Sequence, residues 1–296
     1  MQTKRQIREL LASAGVRPNR RFGQHFLVDL NLLRLLIDSA QIEAEDVVLE
    51  VGCGTGSLTQ ALAERARHVV AVEVDNTLAG LAASQLAAAD NIDLIRGDVL
   101  SRKGTLNPRV VEALGQARQP RCGRFLLVSN LPYDAATAVM LNLVRGPVVA
   151  DVMVVTVQKE VGERMEAAPN SRDYGTLSVL LGATGRVQTL RVLKPNVFWP
   201  PPGVDSVIVQ FRRDAAKCGR IEDMQRLGDV VGLFMGHRRK MLRACVRYAP
   251  ARLGGPDTWM ELFARCGIDP AQRPEALSPE QYVELANGCG PRRAGS

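Results

Sequence analysis

Apolar residues recur along the chain with two periods, and the alternation between them predicts the architecture. Over residues 3–14, Ile7, Leu10, Leu11 and Ala14 fall at helical spacing, and Gly15 and Pro18 stop the helix. A basic loop with Arg17, Arg20 and Arg21 follows, then a second helix over 29–40. From Val47 onward, short β-branched runs alternate with helical stretches. Segments 47–51, 69–74, 92–95, 125–129 and 152–158 read as strands, 57–66 and 77–89 as helices, and 101–122 as a polar stretch. Such alternation indicates a parallel, doubly wound sheet. The pattern then changes. Residues 175–181 look helical, and the β-rich segments 188–193 and 206–211 flank a turn-like stretch at 198–203 with no crossover helix between them. That predicts an antiparallel pair at the sheet edge. After Arg213 the chain reads as helical, broken at Pro250, Gly254, Gly255 and Pro256. The expected organisation is a basic helix and loop over 1–28, an α/β domain over 29–213, and a small all-helical domain over 214–296 ending in a frayed tail.

Composition narrows this picture modestly. With 46% apolar residues in 296, the chain can build the core of one large and one small domain. Aromatics are only 4%, so an aromatic inside a motif carries more information than usual. The 38 Lys and Arg against 31 Asp and Glu leave a net charge of +7, which permits a phosphate-rich partner without proving one. The six cysteines (Cys53, Cys122, Cys218, Cys245, Cys266 and Cys289) form no C-x-x-C pair. Neither a metal site nor a disulfide framework is expected, and reduced thiols fit a cytoplasmic protein. The opening MQTKRQIREL has no apolar core of a signal peptide, and no run of roughly 18 apolar residues suggests a membrane span.

Glu50-Val51-Gly52-Cys53-Gly54-Thr55-Gly56 joins a strand to a helix. Glycines there let the backbone take positive φ and approach a ligand closely. Glu73 ends the next strand, where a carboxylate can accept both hydrogens of a ribose diol, and Asp98 lies just past the third strand, placed to hold an adenine amine. A dinucleotide loop requires G-x-G-x-x-G, but Ser57 stands where its last glycine would be. The G-x-G-x-G form after a glutamate matches the methyltransferase variant, whose ligand has no pyrophosphate. The plain alternative is a turn that only closes a βα unit.

Asn130-Leu131-Pro132-Tyr133 follows the fourth predicted strand. This tetrad is a form of the amino-group methyltransferase signature, and the chemistry accounts for it. The lone pair of adenine N6 is delocalised into the ring, so it is a poor nucleophile. The Asn130 amide oxygen and the Leu131 carbonyl can accept its two N–H bonds, Pro132 fixes the turn, and Tyr133 offers a face on which a base can stack. Taken alone, the tetrad is also compatible with an ordinary turn and a buried tyrosine.

With these motifs stand RRFGQHFL (20–27), VQKEVGERM (157–165), YGTLSV (174–179), VFWPPPGVDSVIVQF (197–211) and FMGHRRKML (234–242). Together they resemble the small-subunit (16S) ribosomal RNA adenine-N6,N6-dimethyltransferase family of bacterial type, from about residue 4 to residue 285. The resemblance implies a Rossmann-like class I methyltransferase fold with a helical C-terminal domain. It implies S-adenosylmethionine as cofactor, with contacts at His25, Leu27, Gly52, Gly54, Glu73, Asp98 and Asn130, and Phe198 as a second wall of the adenine pocket opposite Tyr133. The implied reaction is dimethylation of two adjacent adenosines in the 3′-terminal hairpin of 16S rRNA, by a monomer acting on a pre-30S subunit in the cytoplasm. Four residues differ from the usual family pattern: His25 stands where Asn is usual, Gly203 where Lys is usual, and, in and after the tetrad's NLPYN-x-x-x-P form, Asp134 where Asn and Ala138 where Pro is usual.

Two basic clusters are candidate RNA contacts: Arg17, Arg20 and Arg21 near the expected site entrance, and Arg238, Arg239, Lys240 and Arg243, with His237 and Arg247, expected on a C-terminal helix. Charge runs are more often solvated faces than binding sites. Competing readings are a large-subunit rRNA methyltransferase of the macrolide-resistance type, a ribosome-assembly factor without catalysis, and a nicotinamide enzyme. The proline-rich block, the intact motif residues and the glycine spacing respectively weigh against them.

Overall fold

The computed structural model describes residues 1–18, 23–102, 104–118 and 123–289. The helices are α1 (Lys4–Ser13), α2 (Leu30–Ala40), α3 (Ser57–Ala63), α4 (Asn76–Gln85), α5 (Pro108–Ala117), α6 (Ala136–Arg145), α7 (Lys159–Glu166), α8 (Thr176–Thr184), α9 (Ala215–Gly219), α10 (Met224–Gly236), α11 (Leu242–Cys245), α12 (Pro256–Arg265) and α13 (Pro279–Gly288). The strands are β1 (Phe26–Leu27), β2 (Val47–Val51), β3 (His68–Glu73), β4 (Ile92–Arg96), β5 (Leu100–Arg102), β6 (Thr105–Leu106), β7 (Phe125–Asn130), β8 (Val152–Gln158), β9 (Gly185–Leu193), β10 (Phe198–Trp199) and β11 (Ser206–Arg213).

Seven strands form one sheet in the order β4-β3-β2-β7-β8-β11-β9. The first five are parallel, and β11 runs antiparallel to β8. The expected change of direction at the edge is therefore present. The central strands are apolar on both faces because helices cover both sides: β2 and β7 are buried along almost their whole length. Asp29 and Asp75 start α2 and α4 by accepting hydrogen bonds from backbone N–H groups of the first turn.

The chain forms two compact units. One comprises residues 1–162 and 188–212, and the other 163–187 and 213–296. The linear division at 213 leaves 163–187 in the α/β part, whereas the fold places this segment with the C-terminal helices. The reason is in α8, whose residues are buried on nearly all faces and so need a covering of helices. Around it, Phe234, Trp259, Phe263 and Tyr282 build an aromatic core, with Phe234 and Trp259 edge to face at 5.3 Å. The stretch 101–122, expected as polar, contains the β5–β6 hairpin and α5, whose buried Val110, Ala113 and Leu114 sit at helical spacing. Among the described residues no helix is long and apolar enough to cross a membrane.

Glu50 lies in the middle of the sheet and is 2% exposed, with Oε2 unpartnered among the described residues. Burial pushes its carboxyl up to about 8, and the nearby Glu73 charge acts in the same direction. The folded state thus holds this proton more tightly than the unfolded chain. The contribution of Glu50 to stability is fully present below about pH 4.5 and is lost as pH rises towards and through 8. Glu50→Gln should therefore raise the melting temperature by several degrees at pH 8 and change it little at pH 5, in thermal unfolding followed by circular dichroism. An equal effect at both pH values would contradict a buried, neutral Glu50.

Candidate active site

In the sheet order, β3 and β4 lie to one side of β2, and β7 and β8 to the other. The winding reverses between β2 and β7, and in open α/β sheets a crevice forms beyond the strand ends at such a reversal. Here β2 delivers the glycine loop and β7 delivers Asn130 to the same edge, because the two strands are parallel and in register at Val47↔Phe125. A cavity of about 390 Å³ lies there. Its walls come from residues 23–26, the glycine loop, the ends of β3 and β4, and the 130–135 turn.

Gly52, Gly54 and Gly56 have φ of 75°, 58° and 79°. At two of them the space is also taken. A Cβ on Gly52 would lie 2.9 Å from Pro132 Cγ, and one on Gly54 2.9 Å from Phe26 Cε1. The loop is thus pressed against the 130–135 turn on one side and the 23–27 segment on the other. Glu73 secures it: Gly54 N donates to Oε2 at 2.8 Å and Asp75 N to Oε1 at 2.9 Å. The Glu73 carboxyl is 4% exposed, and burial raises its pKa while the N–H donors of Asp75 and Gly54 oppose the rise. Each oxygen keeps capacity for a further donor from the cavity. Asp98 lines the same cavity, with Oδ1 accepting from Leu100 N at 2.9 Å.

On the other side, Ser129 Oγ donates to the Val51 carbonyl at 2.6 Å, tying the ends of β7 and β2 together. Asn130 Nδ2 donates to the His25 carbonyl at 2.8 Å. This sets the amide, so Oδ1 is the group left to accept, and no donor among the described residues meets it. Leu131 N donates to the Thr156 carbonyl on β8 at 3.2 Å, which fixes the turn against the sheet. The Tyr133 hydroxyl meets Ser206 Oγ at 2.8 Å, and burial pushes its phenol pKa up, so it stays neutral. The His25 ring faces that of Tyr133, with centroids 5.7 Å apart and planes 27° apart. His25 Nδ1 lies 2.7 Å from the Pro200 carbonyl. A carbonyl only accepts, so Nδ1 carries a hydrogen there.

His25, Gly52, Gly54, Glu73, Asp98 and Asn130 to Tyr133 therefore meet around one cavity. Two expected members do not. Leu27 and Phe198 pair across β1 and β10, and both point into the core beside Leu33, Leu36 and Ile208. Phe198 is 2% exposed and absent from the cavity wall; the ring facing Tyr133 is that of His25. Arg17 is exposed, while Arg20 and Arg21 lie outside the described residues.

The second basic cluster is not on one helix. Helix α10 ends at Gly236, and Arg238, Arg239 and Lys240 occupy the turn before α11. Arg238 is bound to Glu275 at 3.0 Å and to the Arg172 carbonyl, and Lys240 to the Tyr248 hydroxyl at 2.9 Å. Arg239 and Arg243 are exposed, as are Lys240 and Arg247.

Sequence reasoning missed several residues that shape the site. Gln24 and Phe26 line the cavity, Gln24 binding Asp75 at 3.2 Å. Gln2 binds Thr55 and Ser57 at the start of α3, and so holds α1 on the glycine loop. Ser206, in the VDS block, anchors Tyr133. Proximity in sequence signals none of these long-range pairings, although Gln24 and Ser206 fall inside the quoted motifs.

The chain is similar to known proteins along nearly its whole length. Residues 15–289 match the family described as ribosomal RNA adenine dimethylase. A relative from Pelotomaculum thermopropionicum named ribosomal RNA small subunit methyltransferase A is 35% identical, covering 95% of this chain and 94% of its own. One of the same name from Geobacillus thermodenitrificans is 31% identical, covering 98% and 97%. The crystal structure of a dimethyladenosine transferase from Plasmodium falciparum superposes with a TM-score of 0.69 at 21% identity, covering 88% of this chain and 96% of that one. That of the 23S rRNA methyltransferase ErmE gives 0.59 at 22%, covering 89% and 98%. At such identities the structural likeness shows a shared fold, and the glycine loop, Glu73, Asp98 and the Asn130 turn occupy the crevice of that fold. With its sequence matched from residue 15 to residue 289, the chain belongs to the ribosomal RNA adenine dimethylase family.

Proposed function

We propose that this protein transfers methyl groups from S-adenosylmethionine to N6 of two adjacent adenosines in the 3′-terminal hairpin of 16S rRNA, dimethylating each. The observation that carries the reading is the orientation of Asn130. Its amide is tethered through Nδ2, which leaves Oδ1 as acceptor beside the glycine loop. The residues fit the cofactor. Three positive-φ glycines make a cradle that side chains would fill, and the buried Glu73 carboxylate and Asp98 stand where a ribose and an adenine amine need acceptors. Glu73, Asp98 and the loop would hold it, and it supplies an electrophilic methyl group on a sulfonium.

The protein's own part is alignment. Asn130 Oδ1 and the Leu131 carbonyl accept the two N6–H bonds, which favours a pyramidal nitrogen whose lone pair leaves the ring. Pro132, against Gly52, sets the distance between that nitrogen and the cofactor loop. Tyr133 supplies a stacking face, and the His25 ring beside it lines the same cavity. With the cofactor bound, the methyl group would pass from its sulfur, which leaves as a neutral thioether, to the aligned nitrogen, which would become an acidic ammonium. Its proton passes to water, so no strong base is required. The target base must leave its stack, at a cost of a few kcal/mol that these contacts offset.

Supporting the small-subunit target, the named relatives above match over nearly their full length. We assign a monomer acting on a pre-30S particle in the cytoplasm. Arg17 contacts the RNA, as on sequence grounds do Arg20 and Arg21, which lie outside the described residues, and exposed Arg239 and Arg243 are the foremost contacts of the helical unit.

Three outcomes test this. Incubation with 16S rRNA in small-subunit particles and labelled cofactor should yield dimethyladenosine at two neighbouring positions by mass spectrometry; label only in 23S rRNA would refute the target. Asn130→Ala should reduce turnover by roughly 10²-fold or more while cofactor affinity stays within several-fold. Glu73→Gln should do the reverse in emphasis, weakening cofactor binding by roughly tenfold or more in calorimetric titration. An unchanged binding isotherm would remove Glu73 from the ribose site.

A further inference from the structure

Outside the cavity, a long groove runs between α1 and the segment that carries Trp199 and Pro200. Lys4, Arg5, Arg8 and Arg17 line it, against the single carboxylate Glu9, which pairs with Arg5 at 2.7 Å. Lys4 and Arg8 are one helical turn apart on the exposed side of α1. No carboxylate among the described residues pairs with Lys4, Arg8 or Arg17. The opposite side of α1 is fixed: Ile7 and Leu11 are buried against Leu78, with Phe26 and Trp199 packed on the same cluster. The positive charge is therefore presented on a rigid helix.

The groove lies next to the cavity. Pro200 lines the groove, and its carbonyl holds His25, which lines the cavity. Trp199 lines the groove and lies against Phe26, with ring centroids 6.3 Å apart and planes 25° apart, and Phe26 lines the cavity. Trp199 is half-buried, so part of it is open to the groove. Unpaired cations along a groove with an aromatic ring are the features that bind single-stranded nucleic acid: phosphates meet the cations and a base stacks on the ring.

Resting on the reading above, we propose that this groove holds the single-stranded RNA flanking the target adenosine. Lys4 and Arg8 contact its phosphates, and Trp199 stacks on a neighbouring base. An adenosine turned out of its stack leaves its neighbours unstacked within a few ångströms of the site, and the groove opens where they emerge.

The test uses the full-length protein and a 16S 3′-terminal hairpin RNA. Lys4→Gln with Arg8→Gln should lower the slope of log affinity against log salt by about 1.4, at about 0.7 per single-strand phosphate contact. It should weaken binding by roughly tenfold or more near 0.1 M salt. Trp199→Leu should weaken binding with the slope unchanged, and 4-thiouridine beside the target should crosslink to the groove in the wild type and not in this variant. Cofactor affinity, measured by calorimetry, should be unaffected by the Lys4 and Arg8 changes, because neither residue lines the cavity. An unchanged salt slope in the double variant overturns the proposal. Failure of the wild type to methylate or bind the RNA overturns the functional reading instead, so the two are separable.

Discussion

Gly52 and Pro132 lie so close that no side chain fits at position 52, and the site depends on that approach. The two residues come from different strands. They meet because β2 and β7 are neighbours and parallel, so both chains leave the sheet at the same edge. Ser129, bonded to the Val51 carbonyl, holds the strand ends together just beneath the contact. With the separation fixed by backbone and a proline ring, the spacing between the glycine loop and the Asn130 turn is set by the least flexible groups available. Glu73 and Asn130 then act on a frame that is already in place.

The same frame explains why so much was legible in the sequence. A central parallel strand is buried on both faces, so 47–51 and 152–158 read as uninterrupted apolar runs with sharp ends. Strand–loop junctions line the cavity, so Gly52, Glu73, Asp98 and Asn130 are legible at strand ends from the sequence alone. Less legible were features set by contacts distant along the chain. Phe198 looked like a pocket wall, but its two-residue pairing with β1 turns it into the core beside Leu27. Residues 163–187 follow the sheet in sequence and yet join the helical unit, because α8 has no polar face to leave in water. The basic stretch at 237–243 reads as continuous helix, but the turn after Gly236 breaks it, and Arg238 and Lys240 are bonded to Glu275 and Tyr248.

Charge in this protein is divided between structural and free roles, and only geometry separates them. Arg5 and Arg238 have carboxylate partners, while Lys4, Arg8 and Arg17 have none among the described residues. Buried acids show a similar division. Glu73 keeps backbone donors and an outlet to the cavity, whereas Glu50, two residues before Gly52, lies within the sheet with one oxygen unpartnered. One carboxyl is set to bind a ligand, and the other to hold a proton.

The tether on Asn130 reaches the main chain of residue 25 and not its side chain. Any amino acid at that position supplies the same carbonyl. The side chain facing the tyrosine can therefore be exchanged while the Asn130 amide keeps its orientation. The lining of the cavity beside Tyr133 and the hold on the Asn130 amide thereby rest on separate atoms of a single residue.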